Sequence, residues 1–335
     1  MRFLIAGYGS IGRRHFRNLL SLGERDIVLY RSHHSTLPDD ELAGYPVETD
    51  LRAALAYGPE AVIISNPTAL HLEVAIPAAE CGCHLLIEKP ISHSMARLDE
   101  LQQAVDQNSV RVLVGYQFRF HPGLQLLKKL LKDMAIGELL SAHAHWGEHL
   151  PGWHPWEDYK QGYAARSELG GGVLLTLSHP LDYLRWILGE VESITATTSQ
   201  KGLNLPVEDE AEILLRFQND ILGSVHLDYN QRPPAHWLEI IGTQGTMRWD
   251  NSDGTVRLAG VEQDGTTAAW QDLPVPQGFE RNSMFLEELR HFRNVVKGKA
   301  RSICTLSDGV QALRLSLIAL ASSQTGEMIK ISRKA

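Results

Sequence analysis

Cysteine is scarce in this 335-residue chain: Cys81, Cys83 and Cys304 are the only three, an odd number with no C-x-x-C pair. That excludes a disulfide framework and offers no zinc-ribbon spacing, so the expected compartment is the reducing cytoplasm. Long hydrophobic runs are missing too. No apolar stretch approaches the roughly 20 residues that a membrane-spanning helix needs. The apolar start Phe3-Leu4-Ile5-Ala6 is broken at Gly7 and again at Arg13-Arg14, too early for the core of a secretory signal. Positive charge is in deficit, with 32 Lys and Arg against 40 Asp and Glu, a net −8, and no dense basic run. Nucleic acid and anionic membrane are therefore excluded as partners, and a small molecule is expected.

What is present starts at once. A short apolar strand, Phe3 to Ala6, runs into Gly7-Tyr8-Gly9-Ser10-Ile11-Gly12 and then into a helical pattern from Arg13 to Gly23. Strand, G-x-G-x-x-G turn and helix in that order form the dinucleotide fingerprint. Gly7 permits the tight turn, Gly9 lets the backbone approach a pyrophosphate, and Gly12 lets the helix pack close to the strand. The pyrophosphate would sit on the N–H groups and positive dipole end of that helix. A second strand, Ile27 to Ser32, ends about twenty residues past the turn, where such folds meet the adenosine ribose. An acidic residue there suits NAD. This chain has Arg31 and Ser32, with His33 and His34 beyond, and a guanidinium suits the 2′-phosphate of NADP. NADP is the preferred expectation and NAD the alternative.

The pattern then repeats. Ala61 to Ser65 is a continuous apolar run of the kind a parallel strand buried on both faces shows, and Thr68 is placed to cap a helix reaching Glu80. His84 to Ile87 delivers Glu88-Lys89-Pro90, and Val110 to Gly115 delivers Tyr116-Gln117-Phe118-Arg119-Phe120. In an open α/β sheet the carboxyl ends of the strands bind the ligand, which nominates Ser65, Asn66, Pro67, His71, Glu88, Lys89 and Gln117 beside the glycine turn. Strands alternating with helices predict a doubly wound parallel sheet over residues 1–120.

Residues 121–335 read differently. After a helix from Pro122 to about Asp133, short strands follow at Leu139–His145, Ser193–Thr198, Ala211–Phe217, Ile221–Tyr229, Trp237–Ile241, Thr246–Trp249 and Thr255–Ala259. Such spacing predicts a mostly antiparallel open sheet, making the whole chain α/β plus α+β. A long loop, Gly147 to Leu169, precedes a helix from Gly172 to Leu188, and loops of that length are usually functional. Its Trp153, His154, Trp156, Tyr159, Tyr163 and Arg166 suit a lid over a substrate, and Arg166 or Arg119 suits bidentate capture of a carboxylate or phosphate. His143 and His145 share a strand face near Glu148, yet the spacing is no settled ligand pattern, and no metal is assigned. Two helices, Arg281–Val296 and Ser307–Ser322, and a short strand, Met328–Ile331, close the chain.

The glycine turn, Glu88-Lys89-Pro90, the Gly115 to Phe120 segment and Gly170-Gly171-Gly172…His179…Asp182 together resemble the glucose–fructose oxidoreductase / inositol dehydrogenase / MocA family, from Met1 to Ser332. The resemblance implies an N-terminal Rossmann domain and a C-terminal open sheet whose other face serves a homodimer or homotetramer. It also implies terminal helices that pack back near the Rossmann domain. It implies an NAD(P)-dependent enzyme moving a hydride between nicotinamide C4 and a hydroxyl or keto carbon of a sugar, amino sugar or nucleotide sugar. Two rival readings stay open, an NAD-dependent glycosidase using transient oxidation and a non-catalytic NADP-binding sensor. Lys89, at a strand end, suits a cation beside the reacting oxygen, with Pro90 as a site for a cis bond. His179 suits the proton-accepting base, and Asp182, three residues on, lies on the same helix face as a further catalytic candidate, to meet a neighbouring ring or the substrate. The family usually carries a carboxylate three or four residues before this histidine, where Thr176 and Leu175 stand. Either Thr176 is the hydrogen-bonding partner of His179, or the substrate is arranged differently, or dehydrogenase activity is lost; the first is the working expectation, with Lys89 and His179 contacting substrate.

Overall fold

The structure, a computed structural model, describes residues 1–32, 38, 40–262, 265–266 and 268–331. His33, His34 and Ser332 lie outside the described residues. The chain divides into two units, one of Met1–Gln117, Glu168–Gly170 and Arg281–Leu313, the other of Phe118–Ser167, Gly171–Glu280 and Arg314–Ala335.

The first unit opens with β1 (Phe3–Ala6), α1 (Ser10–Ser21), β2 (Ile27–Tyr30), β3 (Val47–Glu48), α2 (Leu51–Ala56), β4 (Ala61–Ile64), α3 (His71–Glu80), β5 (His84–Glu88), α4 (Leu98–Gln107) and β6 (Val112–Gly115). The strands form one parallel sheet in the order β3-β2-β1-β4-β5-β6. Every residue of β1, β4 and β6 is buried, the mark of a sheet covered on both faces. Thr68 does not cap α3 as expected. It starts a separate 3₁₀ turn, Thr68–Leu70, with no side-chain cap bond, because the chain leaves Pro67 extended and needs that turn to change direction before His71.

The second unit continues with α5 (Pro122–Lys132), β7 (Leu139–Gly147), α6 (Val173–Thr176), α7 (His179–Leu188), β8 (Val191–Ser199), β9 (Glu210–Phe217), β10 (Leu222–Asp228), β11 (Ala235–Gly242), β12 (Gly245–Asp250), β13 (Val256–Gly260) and β14 (Gln271–Leu273). Then come α8 (Arg281–Val296), which returns to the first unit, α9 (Leu306–Thr325), and β15 (Ile329–Lys330). The second sheet runs β14-β13-β12-β11-β7-β10-β9-β8-β15, antiparallel except where β10 lies parallel to β7. Burial alternates along β9 and β11, so one face is packed and the other half-open. The expected helix Gly172–Leu188 is two helices, since Pro180 in the first turn of α7 lacks the N–H and the clearance to sit inside a longer one. The expected Gly147–Leu169 loop holds four single 3₁₀ turns, at Leu150–Gly152, Tyr159–Gln161, Tyr163–Ala165 and Ser167–Leu169.

In the first unit α8 buries Met284, Phe285, Leu289 and Phe292, spaced along one face, and packs on α1 and β6. Its free C-terminal carbonyls are met by Arg111, which donates to the oxygens of Val295 (3.1 Å) and Val296 (2.5 Å).

Candidate functional site

β1 delivers Gly7 in the left-handed region, φ +95°, where an added Cβ would lie 2.6 Å from the Asn66 backbone nitrogen. At Gly12 a Cβ would come 2.1 Å from the Gly7 carbonyl, so this glycine seats α1 against the turn. Gly9 is the opposite case: nothing lies within 4 Å of its missing Cβ, and it caps α1 with no side-chain bond and no acidic residue in the first turn. The positive end of α1 is thereby left for an anion. Ser10 is exposed there, and Ile11 is half-buried.

The neighbouring strand ends complete the cradle. Ser65 shares its hydroxyl between the carbonyls of Ala6 and Gly7, each at 3.1 Å, bracing the turn from behind. Half-buried Pro67 follows Asn66, whose amide donates to Leu70. Asn66 Oδ1, Gln117 Oε1 and the Tyr8 hydroxyl are buried with no hydrogen-bond partner among the described residues. His71 donates from Nε2 to the Asn66 carbonyl at 3.0 Å, and burial lowers its pKa, so the ring is neutral at neutral pH. Arg31 is buried, with its guanidinium 5.3 Å from the Tyr8 ring centroid, and Ser32 is exposed. An open glycine, an uncapped helix and three orphaned polar atoms at one sheet edge fit a dinucleotide.

β5 ends in Glu88, and half-buried Lys89 follows with a cis peptide to Pro90. Among the described residues, the hydrogen-bond partner of the Glu88 carboxylate is a histidine of the first helix. The carboxylate accepts from Nε2 of buried His15 on α1 at 2.7 Å, and it lies so close to Gly115 that a Cβ there would be 3.1 Å from its Oε2. Glu288 of α8 approaches the same pair. Neither His15 nor Glu288 was expected at a site. His15 had a faint signal, a polar residue on the buried stripe Gly12-His15-Phe16-Leu19.

In the second unit His179 opens α7 at 1% exposure. Its ring meets Phe118 edge-on at 4.9 Å and tilts against Trp146 at 5.4 Å. Phe118 also meets His236 and Trp249, and Trp146 stacks on His236 at 4.4 Å, so His179 sits on an aromatic wall. Thr176 is buried at the end of α6, and the Tyr229 hydroxyl donates to the Ala164 carbonyl at 3.4 Å. Asp182 and Arg119 are brought together: the guanidinium grips the carboxylate through Nε at 3.0 Å and Nη2 at 2.7 Å, both side chains 2% exposed. Asp182 is thus bound to an arginine, and the Arg119 fork expected to hold a substrate anion holds Asp182 instead. Within the loop, Trp153 meets Tyr229 edge-on, Trp156 is exposed beside His154, and Tyr159, Tyr163 and Arg166 are half-buried.

His143 and Glu148 take other partners, while His145 places a ligand atom within 4.8 Å of those of His226 and Asp228. His143 pairs with Ser224 at 2.8 Å, and Glu148 accepts from Trp146. His145 stacks between Trp237 and His226 on the half-open sheet face and donates to Gln231 at 2.6 Å. His226 is held between Asp228 at 3.0 Å and Glu212 at 2.6 Å. Asp228 first, then Glu212, raise its pKa to about 9. A histidine with a raised folded pKa adds stability below its ordinary 6.5 and loses it as pH rises toward 9. The thermal midpoint of the wild type is therefore expected to fall relative to that of His226→Gln between those limits, measured by calorimetry. A parallel pair of curves would remove the effect. Burial pushes His121 the other way, to about 4, and its Nδ1 accepts from the Gly123 N–H as the cap of α5.

Comparison with known proteins agrees with this geometry. Residues 1–116 match the model of the oxidoreductase family with an NAD-binding Rossmann fold, and residues 124–248 match the GFO/IDH/MocA C-terminal domain. An oxidoreductase of Synechocystis sp. is 32% identical over 56% of this chain and 54% of its own, so the match spans about half that relative's length. Myo-inositol 2-dehydrogenase of Thermotoga maritima is 27% identical over 99% of this chain and 98% of its own. Among solved structures, levoglucosan dehydrogenase in complex with NADH and levoglucosan superposes with a TM-score of 0.88 at 20% identity, covering 99% of this chain and 100% of that one. Both halves of the chain, each matching the corresponding domain model, belong to the GFO/IDH/MocA family of oxidoreductases.

Proposed function

We propose that the chain is an NAD(P)-dependent oxidoreductase that moves a hydride between nicotinamide C4 and a CH–OH or keto carbon of a sugar-like ring. The observation that carries this reading is Lys89 at the carboxyl end of the same parallel sheet whose first turn, Gly7 to Gly12, opens onto an uncapped helix. Levoglucosan and myo-inositol, named for two relatives, are polyhydroxylated rings, and we take the substrate from that class. When bound, the nicotinamide accepts or supplies the hydride.

The chain's own groups do the rest. Gly7 to Gly12 and the N-terminus of α1 hold the pyrophosphate, and Asn66, His71 and Gln117 supply polar atoms along the same edge. Glu88 keeps the lysine-bearing strand end in place. Lys89 presents an ammonium to the substrate oxygen, stabilising negative charge as a hydroxyl becomes a carbonyl or the reverse. His179 takes or returns the hydroxyl proton, with Thr176 at the end of α6 three residues before it. Trp153, Trp156, Tyr159, Tyr163 and Arg166 line the approach to substrate. We place the protein in the cytoplasm, in keeping with three free thiols, as a homodimer or homotetramer joined through the half-open sheet face.

The test is direct: NADH or NADPH fluorescence reports binding, and loss of reduced cofactor against a panel of cyclic keto sugars reports turnover. Binding without turnover on any member would overturn the enzymatic reading. Cofactor choice rests on Arg31, whose charge favours NADPH. Arg31→Ala is expected to raise KM for NADPH on the order of tenfold relative to NADH, the worth of one charge-assisted contact. Equal changes in both would assign the chain to NAD.

A further inference from the structure

α1, β5 and α8 bring three ionisable side chains into one buried place. A nitrogen of His15 and a carboxyl oxygen each of Glu88 and Glu288 all lie within 4.8 Å of one another. His15 and Glu288 are fully buried and Glu88 is 7% exposed. Only one of the possible contacts is a hydrogen bond, that from His15 to Glu88, while both oxygens of Glu288 lack a partner among the described residues. Two ionised carboxylates this close and this dry repel each other, and neither would have enough donors to offset the loss of water. One proton shared by the pair removes the conflict. The oxygen already bonded to His15 marks Glu88 as the anion, leaving Glu288 as the acid.

We propose that Glu288 is a positioning residue held as a neutral acid: it keeps the buried pair at a single negative charge, so that Glu88 stays locked on His15 and fixes the strand end carrying Lys89. This rests on the role given to Lys89 above. Burial first, and Glu88 second, raise the Glu288 pKa, in agreement with the geometry. Among the described residues, the charged or titratable groups that bear on the pair include Lys89 next to Glu88 in sequence, Arg14 of α1, whose guanidinium covers Phe285, Arg281 at the start of α8, and His71 of α3, which responds to Glu88. Burial first, then Arg281, lower the Arg14 pKa, while Glu88 raises it; neither arginine hydrogen-bonds Glu288, whose two oxygens have no partner among the described residues.

Two measurements do not need turnover. In wild-type protein labelled with ¹³C-carboxyl glutamate, one glutamate resonance is expected to stay in the protonated range at pH 7, and to vanish in Glu288→Gln. In thermal unfolding, the wild-type midpoint is expected to fall relative to Glu288→Gln as pH rises above about 4.3, where the unfolded glutamate ionises and the folded one does not. His121 runs opposite in the same window and is present in both proteins, so it cancels in the difference. With an active substrate, Glu288→Gln is expected to keep kcat within about threefold, while Glu288→Ala loses about tenfold or more in kcat with NADH affinity little changed. All glutamate resonances in the ionised range at pH 7 would overturn the proposal. So would a stoichiometric cation lost on Glu288→Gln, which would make the trio a metal site. If the resonance persists but no sugar is turned over, the neutral acid stands and the oxidoreductase reading falls.

Discussion

Lys89→Met is expected to lower kcat by about two to four decades with the NADH dissociation constant nearly unchanged, the size usual for a positioned proton-transfer or oxyanion-stabilising group. Methionine keeps the length and apolar body of the side chain and removes only the ammonium, so the strand end stays packed. His179→Ala is expected to fall by two decades or more, for the separate reason that the hydroxyl proton then has no acceptor. Loss confined to kcat and kcat/KM, with cofactor binding intact, marks interactions made in the transition state. The measurement is steady-state kinetics beside fluorescence titration of NADH. An unchanged rate in either variant would sink the role given to that residue. The His179 change also removes a ring from the wall of Phe118 and Trp146, so its thermal midpoint must accompany the rate.

The largest effect on stability is expected at Asp182. Arg119 is 2% exposed and held through two nitrogens, so Asp182→Ala leaves a guanidinium buried without its carboxylate. Breaking a buried pair from one side costs about 3–5 kcal/mol, a fall in the thermal midpoint on the order of ten degrees in a chain of this size. Removing both charges together, as Arg119→Met with Asp182→Leu, is expected to recover most of it, because no charge is then left in the interior. If the double variant melts normally and turns substrate over, Asp182 is structural. A stable double variant with no turnover would restore the catalytic role that its place near His179 in sequence suggested.

That reversal shows where sequence reading ends. The glycine turn was legible because its constraints are local: φ at Gly7 and the closeness of Gly12 to Gly7 are decided within six residues. The strands of the first sheet were legible because burial on both faces leaves unbroken apolar runs such as Ala61-Val62-Ile63-Ile64. Asp182 was not, since its partner lies 63 positions earlier and nothing near it says which arginine reaches it. The His15–Glu88 contact spans 73 positions and was equally invisible. The break between α6 and α7 was in plain sight as Pro180, masked by a hydrophobic pattern that runs through it. The parallel pairing of β7 with β10 cannot be read at all, because strand alternation records which face is buried and never which neighbour covers the edge.

The strand order has a bearing on how this chain is made. β7 is paired on one side by β10 and on the other by β11, and β8 is closed by β15 at the far end of the chain. The first unit, for its part, receives α8 only after residue 281. During synthesis β7 therefore waits with two bare edges until β10 and β11 follow it, up to Gly242, and the α8-facing side of α1 and β6 waits longer, until Val296. Contacts of such sequence separation form slowly, and the unfinished surfaces are sticky ones. α8 completes the first unit and β15 closes the second sheet, so the surfaces that wait for these late elements are where aggregation of the unfinished chain is expected to begin.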